Sequence, residues 1–217
     1  MQVSLHLSQT LSYVLKECAL LSTCMPVVSL GQQARGSRKP ANCSLRFVLQ
    51  HVSAEEKALQ AKWVELAHDQ ALKSEAAGGI PIGSVLVHQP TRKVIAAGHN
   101  QRMQKNSNIL HGEMDCFENA GRTYEGGPIP WRETVCITTL SPCLMCTGAI
   151  LMYGIPAVII AEHDNYLSPG EELLASKGVK VTVVNDHKCI QTMSSWIKEH
   201  PQLWHEDVAG NVNGARV

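Results

Sequence analysis

The sequence lacks a surplus of charge of either sign. Its 217 residues contain 19 Lys and Arg and 19 Asp and Glu, so its formal net charge is zero. The balance is uneven, because residues 1–50 contain five basic residues and one acid, which leaves 14 basic and 18 acidic residues for the rest. A mildly acidic region is a poor partner for a phosphate backbone. We therefore expect no nucleic-acid partner.

A long hydrophobic run is also missing. The apolar stretch at residues 20–30 is too short to span a bilayer, and Pro26 interrupts it. The chain has neither internal repeats nor low-complexity tracts. The length and composition predict no membrane partner and one globular domain, residues 51–217, behind an N-terminal extension, residues 1–50.

The extension, residues 1–50, has no clear targeting signal. Lys16 and Glu17 precede its apolar stretch and no clean small-residue cleavage site follows, so it makes a weak secretory signal. Its acid-poor composition with Ser and Arg resembles a mitochondrial presequence slightly better. A disordered tail, a targeting segment and an artefact of gene-start prediction all stay open, and we assign the extension no function.

Two short motifs further along the chain carry the chemistry. His-Gly-Glu at residues 111–113 is followed, after 28 intervening residues, by Pro-Cys-Leu-Met-Cys at residues 142–146. One histidine and two cysteines make a three-ligand zinc site with a fourth tetrahedral position open for water. A structural site would not need Glu113, but a catalytic site would use it as the base that takes a proton from that water. The pattern predicts a catalytic zinc held by His111, Cys143 and Cys146.

The motif spacing also predicts local structure. Ser141 can cap a helix and Pro142 fits its first position, which places both cysteines on one face of the first turn, near the positive end of the helix dipole. Residues at i and i+2 diverge on a regular helix. His111 and Glu113 can therefore converge only if His111 lies at the entrance of a helix, which we predict to run to about residue 120 and to stop at Gly121.

Simpler interpretations exist for each motif alone. A Cys-x-x-Cys pair is also typical of thioredoxin-like redox proteins, and His-x-Glu by itself is almost uninformative. A structural zinc would require a fourth Cys or His, and none has motif spacing here. Iron can occupy the same ligands, but thiolates favour zinc. The motifs together favour catalytic zinc.

The cysteines indicate a reducing compartment. Two of the eight are the predicted zinc ligands, which must stay reduced, and three more lie in the extension. We expect a cytoplasmic protein, with a nuclear location and mitochondrial targeting by the extension both left open.

From Ser53 onward, strands and helices alternate. Ser53 and Glu56 have the spacing of a capping box for the first helix. Predicted strands lie at residues 82–88, 94–98, 134–139, 157–161 and 179–184, and later helices at 111–120, from 142, at 171–177 and at 186–199. A starting hairpin followed by alternating strands and helices predicts an α/β fold, a three-layer α/β/α sandwich with a five-stranded mixed sheet.

From about residue 53 to residue 208 the sequence resembles the fungal-type cytosine deaminases of the cytidine deaminase-like superfamily. The His-x-Glu and Pro-Cys-x-x-Cys signature is itself that of the zinc nucleobase deaminases. The matching stretches are residues 81–83 (Pro-Ile-Gly), 98–100 (Gly-His-Asn), 110–113 (Leu-His-Gly-Glu), 138–143 (Thr-Thr-Leu-Ser-Pro-Cys), 146–150 (Cys-Thr-Gly-Ala-Ile), 152–156 (Met-Tyr-Gly-Ile-Pro) and 200–204 (His-Pro-Gln-Leu-Trp). The resemblance implies hydrolytic deamination of free cytosine to uracil and ammonia in pyrimidine salvage, by a homodimer with one zinc ion per subunit.

The resemblance also implies roles for individual residues. Glu113 would move a proton from the zinc-activated water to ring N3, and the same carboxylic group would then protonate the departing amine. Asn100 and the backbone N–H of Gly112 would bind the ring carbonyl O2. Asp207 would accept from ring N1–H, which explains a preference for the free base because a nucleoside carries its sugar on that nitrogen. The apolar walls around the ring would be Trp204 and Tyr166.

Two departures from the family pattern leave the exact base open. Residue 166 is Tyr where the family usually has Phe, and His205 stands where another aromatic residue is common. Three alternatives therefore stay open: deamination of another small amino-substituted heterocycle or nucleoside, a tRNA adenosine deaminase, and a catalytically silent zinc module. The acidic balance and the pair Trp204 and Asp207 argue against the tRNA enzyme, and Glu113 argues against the silent module.

Overall fold

The computed structural model describes residues 53–208, so the predicted N-terminal extension lies outside the described residues. The five-stranded sheet has the order β2-β1-β5-β6-β7. Its strands are β1 (Gly83–His88), β2 (Lys93–His99), β5 (Thr134–Leu140), β6 (Ala157–Glu162) and β7 (Lys180–Val183). The pairs β2–β1 and β1–β5 are antiparallel, and β5–β6 and β6–β7 are parallel. The predicted mixed sheet is confirmed.

Six helices accompany the sheet in the described part of the chain. They are α1 (Ala54–Ala76), α2 (Gly112–Ala120), α3 (Leu144–Tyr153), α4 (Gly170–Ser176), α5 (His187–Glu199) and α6 (Pro201–Val208). The predicted cap of α1 is confirmed, because the Ser53 side chain accepts a hydrogen bond from the Glu56 N–H at 3.1 Å. None of these helices has the length and apolar character needed to cross a bilayer.

Successive side chains of the central strand β5 belong to two different apolar clusters, one on each face of the sheet. Val135 and Ile137 belong to an apolar cluster with side chains of α1 and α5. Cys136, between them, belongs to a second cluster with side chains of α2, α3 and α4. Successive side chains of a strand point to opposite faces of the sheet, so helices cover both faces. The predicted three-layer sandwich is confirmed.

The start of α3 differs from the prediction. Cys143, and not Ser141, is the N-cap, and the first helical residue is Leu144 rather than Pro142. The Ser141 hydroxyl has other partners, since it donates to Glu171 at 2.6 Å and accepts from the Ser168 N–H at 3.1 Å. The Ser141 hydroxyl therefore bonds to the segment at residues 168–171 and does not cap α3.

Besides a single turn of 3-10 helix at Trp131–Glu133, two elements were not predicted from the sequence. One is the hairpin of β3 (Thr123–Tyr124) and β4 (Gly127–Pro128), which is too short to show a strand pattern. The other is α6, which starts at Pro201, directly after α5 and His200. Proline fits the first position of a helix, and this was the available signal.

Candidate active site

The ligand atoms of His111, Cys143 and Cys146 lie within 4.8 Å of one another. The Cys143 sulfur is 3.5 Å from Nδ1 of His111 and 3.6 Å from the Cys146 sulfur. Ligands of a tetrahedral zinc ion, bound at about 2.0–2.3 Å, are separated by roughly 3.3–3.8 Å. The three residues, which we call the ligand cluster, therefore fit zinc, as predicted from their spacing.

The N-termini of two helices hold this cluster. His111 is the N-cap of α2 and Cys143 is the N-cap of α3, and both have extended backbone geometry, with ψ of 165° and 170°. The prediction that His111 opens a helix ending at Gly121 is confirmed. Both N-termini turn their positive dipole ends towards the cluster, which favours thiolate ligands.

The electrostatics of the two sulfurs follow from their contacts. The hydrogen bond that Cys143 shares with Cys146, with a further contribution from His111, lowers the pKa of Cys143 to about 4. Cys146 is fully buried, and its sulfur also lies 3.4 Å from Oε2 of Glu113. Cys143 is therefore a thiolate at neutral pH, which is the form that binds metal.

Glu113 lies in the first turn of α2, directly against the ligand cluster. Its side chain is buried, and burial together with the neighbouring Cys143 thiolate raises the pKa of its carboxyl group. Thr138 of β5 donates a hydrogen bond to Oε1 of Glu113 at 2.9 Å. The arrangement gives a carboxyl group whose raised pKa suits it to accept a proton and pass it on, held in one orientation by a buried hydroxyl.

Sequence reasoning did not assign a function to Thr138. It lies within one of the stretches that resemble the family, but a threonine in a strand is most simply explained by its β-propensity. Only the structure shows that the hydroxyl faces the carboxylate of Glu113 rather than solvent.

A cavity opens beside the ligand cluster. The residues lining it are Ile82, His111, Glu113, Leu140, Ser141, Cys143, Tyr166, Trp204, Asp207 and Val208. Tyr166 and Trp204 meet edge to face with ring centroids 6.1 Å apart. The cavity thus has the ligand cluster and Glu113 on one side and aromatic and aliphatic walls on the others, as a flat heterocycle would require.

Asn100 and Gly112 are buried and are not among the residues that line the cavity. The Asn100 side-chain oxygen accepts from the Arg102 N–H at 3.0 Å, and its Nδ2 has no hydrogen-bond partner among the described residues. A side chain at residue 112 would come within 2.9 Å of the backbone oxygen of Ile82. Glycine is therefore required at residue 112, where the start of α2 packs against the backbone of Ile82 just before β1.

Arg102 forms an ion pair with Asp207 that sequence reasoning missed. The Asp207 side chain is 5% exposed and that of Arg102 is 23% exposed. The two residues are separated by more than 100 positions, and nothing in the spacing of either one indicates the other. The ion pair connects the loop after β2 to α6, the helix that carries Trp204 and Asp207.

Comparison with known proteins shows which family the sequence resembles. Residues 57–162 match the model of the cytidine and deoxycytidylate deaminase zinc-binding region. A cytosine deaminase from Candida albicans is 48% identical over 150 residues, which cover 68% of this chain and 95% of that protein. A tRNA-specific adenosine deaminase from Streptococcus pyogenes is 38% identical over 116 residues, 52% of this chain and 69% of that protein.

A solved structure of a guanine deaminase from Nitrosomonas europaea has the same fold. It superposes with a TM-score of 0.51 at 19% identity and covers 67% of this chain and 86% of that one. The sequence similarity to the Candida albicans protein is much higher and spans nearly all of that protein. The resemblance found in the sequence is confirmed, and the chain belongs to the cytosine deaminase family.

Proposed function

We propose that this protein hydrolyses free cytosine to uracil and ammonia, with one zinc ion per subunit held by His111, Cys143 and Cys146. The observation that carries the proposal is the position of Glu113, whose buried carboxylate lies 3.4 Å from the Cys146 sulfur and opens onto the cavity. A structural zinc site has no use for a proton-exchanging group there. The relative from Candida albicans supports cytosine as the substrate.

In this mechanism Glu113 moves the protons. Zinc, when bound, activates water by acting as a Lewis acid. Glu113 accepts one proton from the attacking water and passes it to ring N3. It then takes the remaining proton of the hydroxyl added at C4 and delivers it to the amine, which leaves as ammonia when the C4–N bond breaks. Thr138 keeps one carboxylate oxygen oriented while the other exchanges protons.

Recognition of the ring uses groups from other elements. Asp207 accepts from ring N1–H, and Asn100 Nδ2 and the Gly112 N–H donate to O2. The partnerless, buried Nδ2 of Asn100 supports this role, because a buried donor without an acceptor costs about 1–3 kcal/mol unless a ligand provides one. Tyr166 and Trp204 pack against the ring faces and edges.

Ammonia release from purified, metal-assayed protein tests the proposal. We expect rapid turnover of cytosine and none of cytidine, since a sugar on N1 would collide with the position of Asp207. Adenine and guanine serve as parallel substrates. Protein that contains one zinc per chain but releases no ammonia from cytosine would contradict the proposed substrate.

A second candidate is deamination of another small amino-substituted heterocycle. It is favoured by the Tyr166 hydroxyl, which is buried and has no hydrogen-bond partner within residues 53–208. That hydroxyl would pair with a ring substituent that cytosine lacks. Faster ammonia release from a substituted pyrimidine or a purine than from cytosine would favour this candidate.

We also infer a homodimer that works in cytoplasmic pyrimidine salvage. Support comes from α3, on which the large apolar side chains Leu144, Met152 and Tyr153 are exposed. Light scattering should give twice the chain mass for the native protein and a lower mass for Met152→Glu. A monomeric native protein would remove the dimer from the proposal.

The extension, residues 1–50, is proposed to have no part in catalysis, because residues 51–217 contain every group used above. A chain starting at residue 51 should keep the kcat and KM of the full chain. A large loss of activity on truncation would show that the extension contributes to the enzyme.

A further inference from the structure

Arg102 contacts both side chains that are proposed to read the pyrimidine edge. Its backbone N–H donates to Oδ1 of Asn100 at 3.0 Å, and its guanidinium pairs with the carboxylate of Asp207. Neither contact was expected from the zinc motifs. Arg102 therefore joins two recognition groups that are more than 100 positions apart in the sequence.

The first contact fixes which end of the Asn100 amide is available. Since Oδ1 faces the Arg102 N–H, the other end of the amide is its Nδ2 donor, which is buried and has no partner in the described structure. The backbone of Asn100 is held as well, because Ser74 donates to its carbonyl oxygen at 2.8 Å and its N–H donates to Ile82 at 2.8 Å. Asn100 is thus a rigid hydrogen-bond donor.

The second contact fixes the acceptor. Trp204 and Val208 anchor α6 in an apolar cluster with Ile82 and Leu140, and this packing sets the position of the helix. Apolar packing is non-directional, so it does not orient the carboxylate of Asp207. Within residues 53–208, Arg102 is the only residue that forms an ion pair with Asp207. The contact joins Nη1 of Arg102 to Oδ1 of Asp207, and a rigid, planar guanidinium places that oxygen more closely than a flexible lysine ammonium would.

The loop that carries Arg102 is itself fastened to α1. Gln104 donates from Nε2 to the backbone oxygen of Ser74 at 3.2 Å and to its hydroxyl at 3.1 Å. The guanidinium is three-quarters shielded from solvent, so its ion pair is less weakened by water and salt than a surface pair would be. Arg102 is therefore held in place and can orient the Asp207 side chain of α6.

We propose that Arg102 is a positioning residue that sets the distance between one donor, Asn100 Nδ2, and one acceptor, the Asp207 carboxylate. The pair selects ligands with a carbonyl next to a ring N–H, the O=C–N–H edge of a cyclic amide. The inference rests on the proposed function, because cytosine presents that edge as C2=O and N1–H. It adds that Asn100 and Asp207 bind this edge of the ring and not its amino group.

The test compares Arg102→Gln and Arg102→Lys with Arg122→Gln, a change at an exposed arginine. We measure kcat and KM on cytosine and on 1-methylcytosine, which lacks the N–H, together with zinc content and thermal unfolding. Arg102→Gln should retain zinc and lower kcat/KM for cytosine about 10–100-fold, mainly through KM, with a matching fall in the preference for cytosine over 1-methylcytosine. Arg102→Lys should recover part of the loss, and Arg122→Gln should behave as the native protein.

A double substitution separates positioning from a merely structural ion pair. If Arg102 acts through Asp207, Arg102→Gln combined with Asp207→Asn should cost little more than Asp207→Asn alone. Additive losses would overturn the proposal. A variant with reduced thermal stability but an unchanged preference for cytosine over 1-methylcytosine would overturn it too.

Binding provides a readout that does not require turnover. In nuclear magnetic resonance titrations, the native protein should bind 2-pyridone, which has the cyclic-amide edge, more tightly than N-methyl-2-pyridone, and Arg102→Gln should lose that difference. If the native protein releases no ammonia from cytosine, the proposed function fails while this titration still decides the role of Arg102. Equal binding of the two pyridones by the native protein would overturn the inference.

Discussion

The two halves of the site are built differently. The metal half consists of the ligand cluster and Glu113. Its four residues lie at the N-termini of α2 and α3. The recognition half consists of Asn100, Arg102 and Asp207, and it joins the loop after β2 to α6 through an ion pair. Each residue of the first half lies in a short motif at a helix N-terminus, whereas the second half is joined by an ion pair between residues more than 100 positions apart. Changes in the metal half should therefore remove the chemistry, and changes in the recognition half should alter which ring is accepted.

The largest effect should come from the ligand cluster. Cys146→Ala removes one of three ligands, so we expect loss of bound zinc and no measurable ammonia release. Metal analysis and the ammonia assay measure both. Cys189→Ala, at a buried cysteine of α5, is the matched control and should keep the metal. A Cys146→Ala protein that retained stoichiometric zinc would contradict the ligand assignment.

Glu113→Gln should separate chemistry from metal binding. The amide keeps the shape of the side chain but cannot carry the proton, so kcat should fall by at least about 10²–10⁴-fold while zinc stays bound. The control is Glu118→Gln on the exposed side of the same helix. Near-native turnover by Glu113→Gln would remove Glu113 from the proton path.

Asp207→Ala tests the recognition half. It removes a buried acceptor and leaves Arg102 without its partner, so kcat/KM for cytosine should fall about 10–100-fold, with zinc content unchanged. Glu206→Ala, at the exposed neighbouring residue, should change neither. If Asp207→Ala instead lost zinc, the division into two halves would be wrong.

Thr138→Val should have a smaller effect within the metal half. The valine has the same shape but cannot donate to Glu113, which costs about 1 kcal/mol, or roughly fivefold in kcat. Steady-state kinetics at saturating cytosine measures it. An unchanged kcat would mean that the α2 backbone alone orients the Glu113 carboxylate.

The smallest effect on catalysis should come from Ser53→Ala, which is remote from both halves. Loss of the α1 cap should lower the stability by about 1 kcal/mol and the melting temperature by about 2–4 °C, with kcat/KM unaffected. Calorimetry and the ammonia assay together check this. A fall in kcat/KM would indicate that α1 transmits strain to the loop that carries Arg102.

The metal half was predictable because each of its residues lies in a short sequence motif. Two motifs with fixed spacing, each next to a helix start, identify His111 and Cys143 as ligands, although the folded sheet is needed to bring them together. Alternating apolar residues likewise predicted all five strands of the main sheet to within one or two residues at each end. The one local error, the start of α3, arose because the preferred capping residue Ser141 bonds to Glu171 and Ser168 instead.

The recognition half was less predictable because its contacts are distant in sequence. Asn100 and Asp207 were proposed only through the family resemblance, and Arg102 was not proposed at all. An arginine in a polar loop has no periodic pattern or motif spacing that points to a partner more than 100 residues away. Such a contact follows from the packing of α6 against Ile82 and Leu140, which requires the folded sheet.

The position of α6 has a practical consequence for protein engineering. This eight-residue helix follows α5 directly at Pro201 and carries both an aromatic wall and a polar recognition group. Neither it nor the loop at residues 100–105 supplies a metal ligand. The two segments therefore form a replaceable cassette. Libraries confined to them can search for activity on new heterocycles while the zinc-binding helices are retained unaltered.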